Sequence, residues 1–285
     1  MFGCERGKAV QDNSDIAPVP PDLCSADAAV MVLTQLAQNF DHWLATLMWE
    51  DEPAAIHKAR VALRRFRVAI YGFDPILHPD LADDLDDRAR DFFRMLGRVR
   101  DLDVMAERSA ELRSKAQSLR EKTRKMLTKK KAAGFARLVQ KRMAGKSWRK
   151  PGKKAKALAA MKAQTLAHGA LNRAWADCLS NGTNLTAMSE RAQHELRKDL
   201  KTLRYLSEFF AVLWPDAPLN AFLHDMRLLQ EDLGLLNDRV IAAEHGLAAA
   251  DDGHFEARRV TAAQAWTRVQ QGGKWWEPIQ ADAEL

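Results

Sequence analysis

The feature that most constrains the fold is a cationic helical pattern that occurs twice, 137 residues apart. The first copy consists of His57, Arg60, Arg64 and Arg67, and the second consists of His194, Arg197, Lys201 and Arg204. The spacing is i, i+3, i+7 and i+10, which at about 100° per residue places all four side chains within roughly 80° of one helical face. We call these two sets the first rail and the second rail. Each predicts a long helix with a line of cations along it.

Apolar residues in both copies lie away from the rail. They are Leu63, Phe66 and Ile70 in the first copy, and Leu200, Leu203 and Phe210 in the second. An apolar stripe beside a charged face is the pattern of a helix that packs one side into a core. We therefore expect both stripes to be buried and both rails to stay accessible.

The same offset continues beyond the rails, which indicates an internal duplication. The matching positions are Leu96, Gly97, Asp101, Ala106 and Glu107 in the first copy, and Leu233, Gly234, Asp238, Ala243 and Glu244 in the second. Repeats of this length imply repeated supersecondary units. Arg98 and Arg100 become Leu235 and Asn237 in the second copy, so the first copy carries more positive charge at this level.

The composition and periodicity predict an all-α fold. The chain has 285 residues, 47% of them hydrophobic and only two of them Tyr, and no segment shows strand alternation. The predicted helices span about 25–49, 53–73, 79–114, 115–144, 155–180, 187–213, 217–250 and 254–270. Four long helices in each half predict two antiparallel four-helix-bundle repeats, related by a pseudo-twofold axis around a basic groove or pore. The expected organisation is a flexible tail at 1–23, repeats at 24–150 and 151–272 joined through a linker at 144–154, and a C-terminal tail at 273–285.

Positive charge is concentrated in the middle of the chain. Residues 113–162 contain 19 Lys or Arg and one acid, whereas the whole protein has a net charge of only +6. Ordinary surface helices mix the two signs, so we favour an accessory polyanion-binding surface over a merely solvated one. The cations expected to contribute most are Lys129, Lys130, Lys131, Arg137 and Lys141.

Cysteine usage and hydropathy indicate a cytoplasmic protein. Cys4, Cys24 and Cys178 have neither paired nor metal-type spacing, so no disulfide framework or zinc site is expected. Residues 1–22 lack the apolar segment of a signal peptide. No stretch approaches the roughly 18 apolar residues of a membrane helix, so we expect no membrane association.

Four segments together resemble the CHAD domain, the conserved histidine α-helical domain. They are AIHKARVALRRFRVAI at 55–70, LGRVRDLDV at 96–104, HELRKDLKTLRYLSEFF at 194–210 and LQEDLGLLNDRVIAAE at 229–244. The resemblance covers roughly residues 24–270. It implies two four-helix repeats around a basic channel that binds inorganic polyphosphate, with localisation to polyphosphate granules as one expected consequence. The chain contains neither an ExExK motif nor a strand-rich segment, so it resembles a stand-alone CHAD protein. We accordingly expect a binding protein with no enzymatic activity and no cofactor.

The resemblance also implies which side chains bind polyphosphate. They are the two rails, the neighbours Arg65 and Lys198, and the pair Arg98 and Arg100; Lys129, Lys130 and Arg137 of the basic segment join them as accessory contributors. Asp101, Asp103 and Asp238 either orient these cations or serve as ordinary helix charges, and the sequence leaves both roles open.

Two other functions remain open from the sequence. A nucleic-acid-binding protein using residues 113–162 would bind without sequence specificity, because only Phe135 and Trp148 there offer aromatic stacking. An enzyme acting on polyphosphate or nucleoside triphosphates would need acids that hold Mg²⁺ beside the cations, and only Asp101, Asp103 and Asp238 are candidates. The oligomeric state and any protein partner are not determined by the sequence.

Overall fold

The apolar periodicity of the sequence produces helices along most of the described chain. The computed structural model describes residues 16–49, 53–106, 110–215, 218–244 and 252–277. Within these ranges ten α-helices occur: α1 (Ser25–Trp49), α2 (Pro53–Phe73), α3 (Pro79–Ala106), α4 (Ala110–Lys129), α5 (Phe135–Met143), α6 (Lys153–Ala160), α7 (Ala163–Ser180), α8 (Glu190–Phe210), α9 (Leu219–Glu244) and α10 (Asp252–Gly272). The described residues contain two isolated β-bridges and no strand. The all-α prediction is confirmed, and the grouping into two four-helix repeats stays a prediction.

The two rail helices, α2 and α8, form at the predicted places. Their apolar stripes are buried as expected, with exposures of 0 to 7% at the six predicted positions. The hydroxyl of Ser189 accepts a hydrogen bond from the backbone N–H of Ala192 at 3.2 Å, which caps the start of α8. Pro53 occupies the first position of α2, where the missing N–H of proline costs nothing.

The predicted basic helix at 115–144 is interrupted after α4. Lys131 adopts a left-handed conformation with φ of 52°. Its N–H donates to the carbonyl of Thr128, and the N–H of Ala132 donates to that of Leu127, both at 3.0 Å. This pair of bonds closes a helix C-terminus on a left-handed residue, a position that glycine usually fills. The chain then turns through Gly134, with φ of 90°, into α5.

The predicted helix at 155–180 is also two helices, because tertiary hydrogen bonds replace helical ones at its break. Met161 accepts a hydrogen bond from the N–H of Ser25 at 2.8 Å, and the N–H of Ala163 donates to Leu23 at 2.9 Å. Met161 is extended, with ψ of 161°. The break between α6 and α7 is thus fixed by the segment that leads into α1.

The predicted linker at 144–154 is joined to residues 76–78 by backbone hydrogen bonds. The N–H of His78 donates to the carbonyl of Trp148 at 2.7 Å, and the N–H of Lys150 donates to that of Ile76 at 2.8 Å. The Trp148 side chain is 2% exposed. Two backbone bonds and a buried indole thus hold the middle of this segment, while residues 144–147 and 151–154 are exposed as its charge predicted. Its role as a linker between two repeats stays a prediction.

The helices pack into two compact units. Among the described residues, the first contains 16–17, 33–66 and 85–142, and the second contains 18–32, 67–84 and those from Met143 onward. These units follow packing and not chain order, so the repeat boundary at 150 and 151 stays a prediction. Of the predicted N-terminal tail, residues 16–23 are described, and Val19 within them is buried.

Four phenylalanines form the centre of the first unit. Phe135, at the start of α5, contacts Phe40, Phe66 and Phe92 with ring centroids 5.0 to 5.9 Å apart. Asp41 of α1 accepts hydrogen bonds from the N–H groups of Phe135 and Ala136, at 3.1 and 3.0 Å. This tertiary cap supplies the acceptor that the first turn of α5 needs.

The second unit packs α7, α8, α9 and α10 each against the next. Trp275 and Trp276, which the sequence assigned to a C-terminal tail, are 2% and 0% exposed. The indole N–H of Trp275 donates to Ser207 of α8, and that of Trp276 donates to Asn172 of α7, both at 3.1 Å. Trp275 and Trp276 therefore belong to the core of this unit.

Candidate functional site

The first rail runs along α2 with its side chains accessible to different degrees. His57 is exposed, whereas Arg60, Arg64 and Arg67 are half-buried. A half-buried arginine packs part of its long side chain on the protein. The rail is thus a set of supported cations and not a row of freely moving side chains.

An aromatic ring on α3 supports two of these cations. The guanidinium carbon of Arg60 lies 4.3 Å from the ring centroid of Phe93, and that of Arg64 lies 5.2 Å from it. Nη1 of Arg60 also reaches the carbonyl oxygen of Phe93 at 3.5 Å. Both distances to the ring are within the range of a cation–π interaction. The sequence analysis missed Phe93, although Arg90 and Arg94 flank it, because nothing local indicates that its ring lies under cations of another helix.

The guanidinium of Arg60 also packs on the backbone of α3 at Gly97. A Cβ at Gly97 would overlap Nη1 of Arg60 and would lie 3.4 Å from its Cζ. Burial lowers the pKa of Arg60, Asp101 raises it, and the like charges of Arg64 and Arg100 lower it further. Arg60, Arg64 and Arg100 therefore form one electrostatic cluster, with Asp101 as its nearby acid.

The second rail on α8 uses a similar contact with glycine but different partners. His194 is exposed, and Arg197, Lys201 and Arg204 are half-buried. A Cβ at Gly234 of α9 would lie 3.3 Å from Nη2 of Arg197. The guanidinium of Arg197 thus packs on α9 much as that of Arg60 packs on α3.

An ion pair and an aromatic contact hold Arg204 of this rail. Nη1 of Arg204 lies 3.3 Å from Oε1 of Glu208, and its guanidinium carbon lies 4.7 Å from the ring centroid of Tyr205. The neighbouring Lys198 pairs with Glu195. Gln230 occupies the position equivalent to Phe93 at the 137-residue offset, so the ring under Arg60 and Arg64 is specific to the first copy.

The remaining predicted binding residues differ in accessibility. Arg98 is exposed and Arg100 is half-buried, whereas Arg65 is only 5% exposed and lies on the core side of α2. In the basic segment, Lys129, Lys130 and Arg137 are all exposed. Nζ of Lys130 lies 2.8 Å from Oδ2 of Asp91. Hydrogen bonding from Lys130 is the main cause of the lowered pKa of Asp91.

The acids near the rails have distinct roles. Asp103 is buried and accepts from Nε of Arg120 at 3.1 Å, so it binds a cation of α4. Asp101 acts electrostatically on Arg60. The side chain of Asp238 lies outside the described residues. Of the three acids considered from the sequence, Asp101 is therefore the one that the structure relates to a rail.

The described helices offer neither a metal centre nor a membrane span. No cluster of three or more His, Cys, Asp or Glu within the described ranges has the geometry to hold a metal ion. Asp225, which follows His224 in the sequence, accepts from Nε of Arg268 at 3.0 Å. Among the helices of the described ranges, none combines the length and the apolar character that a membrane crossing requires.

Comparison with known proteins identifies the fold. The chain is similar to the crystal structure of the CHAD domain from the plant Ricinus communis, with a TM-score of 0.67 and 20% sequence identity over 91% of this chain and 94% of that one. A weaker likeness, with a TM-score of 0.43 and 14% identity over 88% of this chain and 96% of the other, links it to PptA from Streptomyces chartreusis. No curated protein matches the sequence. The sequence model of the CHAD domain matches residues 34–246, well over half of the chain. The protein therefore belongs to the CHAD domain family.

Proposed function

We propose that this protein binds inorganic polyphosphate through its two rails and does not transform it. The family is associated with binding polyphosphate and triphosphate, and this supports the choice of ligand. The observation that carries the proposal is a repeated arrangement: Arg60 and Arg197, at equivalent places in two lines of cations, each pack the guanidinium on a helical glycine, and both residues are only half-buried.

The chemistry of the rails suits a linear polyanion. Polyphosphate carries roughly one negative charge per phosphate, so it requires cations at short, regular intervals and no base-specific contacts. Arginine offers planar, bidentate donors to phosphate oxygens, and lysine adds a mobile point charge. His57 and His194 add exposed imidazole donors.

Other cations extend the proposed site unequally. Arg98 and Arg100 continue the cluster around Arg60, and Lys198 lies beside the second rail. The accessory surface is formed by Lys129, Lys130 and Arg137. Arg65 contributes least, because a guanidinium with 5% exposure presents little surface to a ligand. Polyphosphate binding by these groups would place the protein at polyphosphate granules in the cytoplasm.

Nucleic acid is the competing ligand. Stacking of bases needs exposed aromatic rings among the cations. The two aromatic residues of the basic segment, Phe135 and Trp148, are each 2% exposed, so neither is available for stacking. The accessory surface would therefore hold nucleic acid by charge alone.

The test is a competition between long-chain polyphosphate and labelled DNA at about 150 mM salt, where weak electrostatic binding is screened. The rail variant replaces Arg60, Arg64, Arg197 and Arg204 with alanine. The matched control replaces Lys129, Lys130, Lys131 and Arg137 with alanine, which removes the same charge from the accessory surface. We expect the rail variant to lose polyphosphate binding with its helicity intact, and the control to lose affinity only in part.

The salt dependence of binding provides an independent measurement. The slope of the logarithm of affinity against that of salt concentration is proportional to the number of phosphates that the protein neutralises, at about 0.7 per phosphate on a flexible strand. Measured at lower salt, where the rail variant retains residual binding, the removal of four cations should therefore flatten the slope by about 3. Equal affinity of the rail variant and the wild type, or equal competition by DNA and polyphosphate, would contradict the proposal.

A further inference from the structure

We infer that Gly97 and Gly234 are positioning residues, which hold Arg60 and Arg197 in the orientation that the polyanion meets. This inference rests on the proposed function, because it concerns how the two rails are prepared for a ligand. It goes further because it assigns a role to two buried, uncharged residues, the glycines of α3 and α9 that lie beside the rails.

The contact is the same in both copies of the duplication. At Gly97 an added Cβ would overlap Nη1 of Arg60, with Cζ at 3.4 Å and Nη2 at 3.8 Å. At Gly234 it would lie 3.3 Å from Nη2, 3.8 Å from Nε and 3.9 Å from Cζ of Arg197. At Gly97 the guanidinium occupies the space that a Cβ would fill, and at Gly234 it lies close enough that an added Cβ would be tightly packed against it. Both glycines and both arginines are related by the 137-residue offset.

Backbone conformation does not explain these glycines. Neither has the positive φ that favours glycine, and both lie inside long helices, where glycine is a poor helix former. A glycine kept inside a helix usually has a packing or functional reason. At both positions the reason is the close packing of an arginine guanidinium on the glycine.

Other helical glycines show that the contact is not general. A Cβ at Gly72 of α2 would lie 2.8 Å from Cδ2 of Leu206, so that glycine allows two helices to pack through apolar groups. A Cβ at Gly169 of α7 would have Nη1 of Arg173 at 3.8 Å, an ordinary contact distance. Gly169 is therefore a matched control, since it lies in a helix near an arginine but its replacement requires no movement.

The expected effect follows from the flexibility of arginine. A free arginine loses rotamer entropy when it binds phosphate, and a guanidinium already held on a helix loses less. Alanine at position 97 would push the guanidinium of Arg60 off the helix while leaving its charge in place. The freed side chain would then bind polyphosphate with about three- to tenfold lower affinity.

The experiment measures the affinity for long-chain polyphosphate in the Gly97→Ala, Gly234→Ala and Gly169→Ala variants of the full chain. Because the Cβ approach is closest at Gly97 and ordinary at Gly169, we expect the largest decrease for Gly97→Ala, a smaller one for Gly234→Ala and none for Gly169→Ala. Thermal melts should show all three variants folded, since the group that must move is the end of a flexible side chain and alanine favours the helix.

A double-mutant cycle separates this inference from the proposed function. If Gly97 acts through Arg60, adding Gly97→Ala to the Arg60→Ala variant should cause no further decrease in affinity. Unchanged binding in Arg60→Ala would overturn the proposed function. Weakened binding in Arg60→Ala together with wild-type binding in Gly97→Ala would overturn only the inference. A decrease from Gly97→Ala that persists at full size without Arg60 would also overturn it.

Discussion

Replacing Phe93 with leucine is expected to loosen the first rail while keeping most of the apolar surface beneath it. Phe93 is half-buried, and leucine preserves much of its apolar surface. What leucine removes is the aromatic face under Arg60 and Arg64, whose guanidinium carbons lie 4.3 and 5.2 Å from the ring centroid. The substitution therefore isolates the interaction between the ring and the cations.

The two distances from the ring determine how much stability the substitution should remove. A cation–π contact at a partly exposed site contributes about 0.5–1 kcal/mol and fades near 6 Å. Arg60, at 4.3 Å, should contribute near the upper value and Arg64, at 5.2 Å, near the lower one. Their sum predicts a decrease of about 1–1.5 kcal/mol in the free energy of unfolding.

Urea denaturation of Phe93→Leu, Arg60→Ala and the combined variant would measure the coupling between the ring and the cation. We expect a coupling of about 0.5–1 kcal/mol for this pair, and a smaller one when Arg64→Ala replaces Arg60→Ala. Phe93→Tyr retains the aromatic face and should behave as the wild type. A coupling below about 0.3 kcal/mol, the usual limit of additivity, would refute the idea that the ring holds the rail.

Two further predictions concern the termini of α4 and α5. Lys131→Gly should raise the free energy of unfolding by about 1 kcal/mol, because glycine adopts a φ of 52° without strain; a urea midpoint at or below that of the wild type would contradict this explanation of the break. Burial raises the pKa of the Asp41 carboxyl above 3.8 and outweighs the backbone hydrogen bonds from Ala136, Phe135 and Gly134, which lower that pKa. The easier protonation of the folded protein stabilises it below pH 3.8, and this contribution is lost as the pH rises through the raised pKa. Asp41→Asn should therefore become more stable relative to the wild type as the pH rises through this range, and parallel stability curves for the two proteins would argue against a perturbed carboxyl.

Local periodicity was sufficient to predict the rail helices and their buried stripes. Leu63 and Leu200 are both fully buried, because apolar residues on one helical face have no other way to leave water. The same helical geometry could have shown that Arg65, unlike the other predicted binding residues of α2, does not lie on the rail. On a helical wheel it lies about 120° from the middle of the first rail, and the structure buries it.

Features that depend on distant residues were not accessible in this way. The break between α6 and α7 is set by hydrogen bonds from Ser25 and to Leu23, and Trp148 is buried through backbone bonds to residues 76–78. Neither effect leaves a local signature. The left-handed Lys131 was missed because lysine rarely adopts that conformation. Gly97 and Gly234 were visible as a matching pair, yet the space that they leave for arginine becomes evident only when the neighbouring helices are seen together.

The hydrogen bonds between residues 144–154 and residues 76–78 affect where the chain of this duplicated protein can be cut into fragments. A cut between residues 150 and 151 would give each fragment one copy of the repeat. It would also leave residues 67–84 and the buried Trp148 on the first fragment, although both belong to the second compact unit. The cut would also separate Ser25 and Leu23 from Met161 and Ala163, to which they are joined by backbone hydrogen bonds of 2.8 and 2.9 Å. A single cut at the border between the copies therefore gives no fragment that contains one whole packing unit and nothing else.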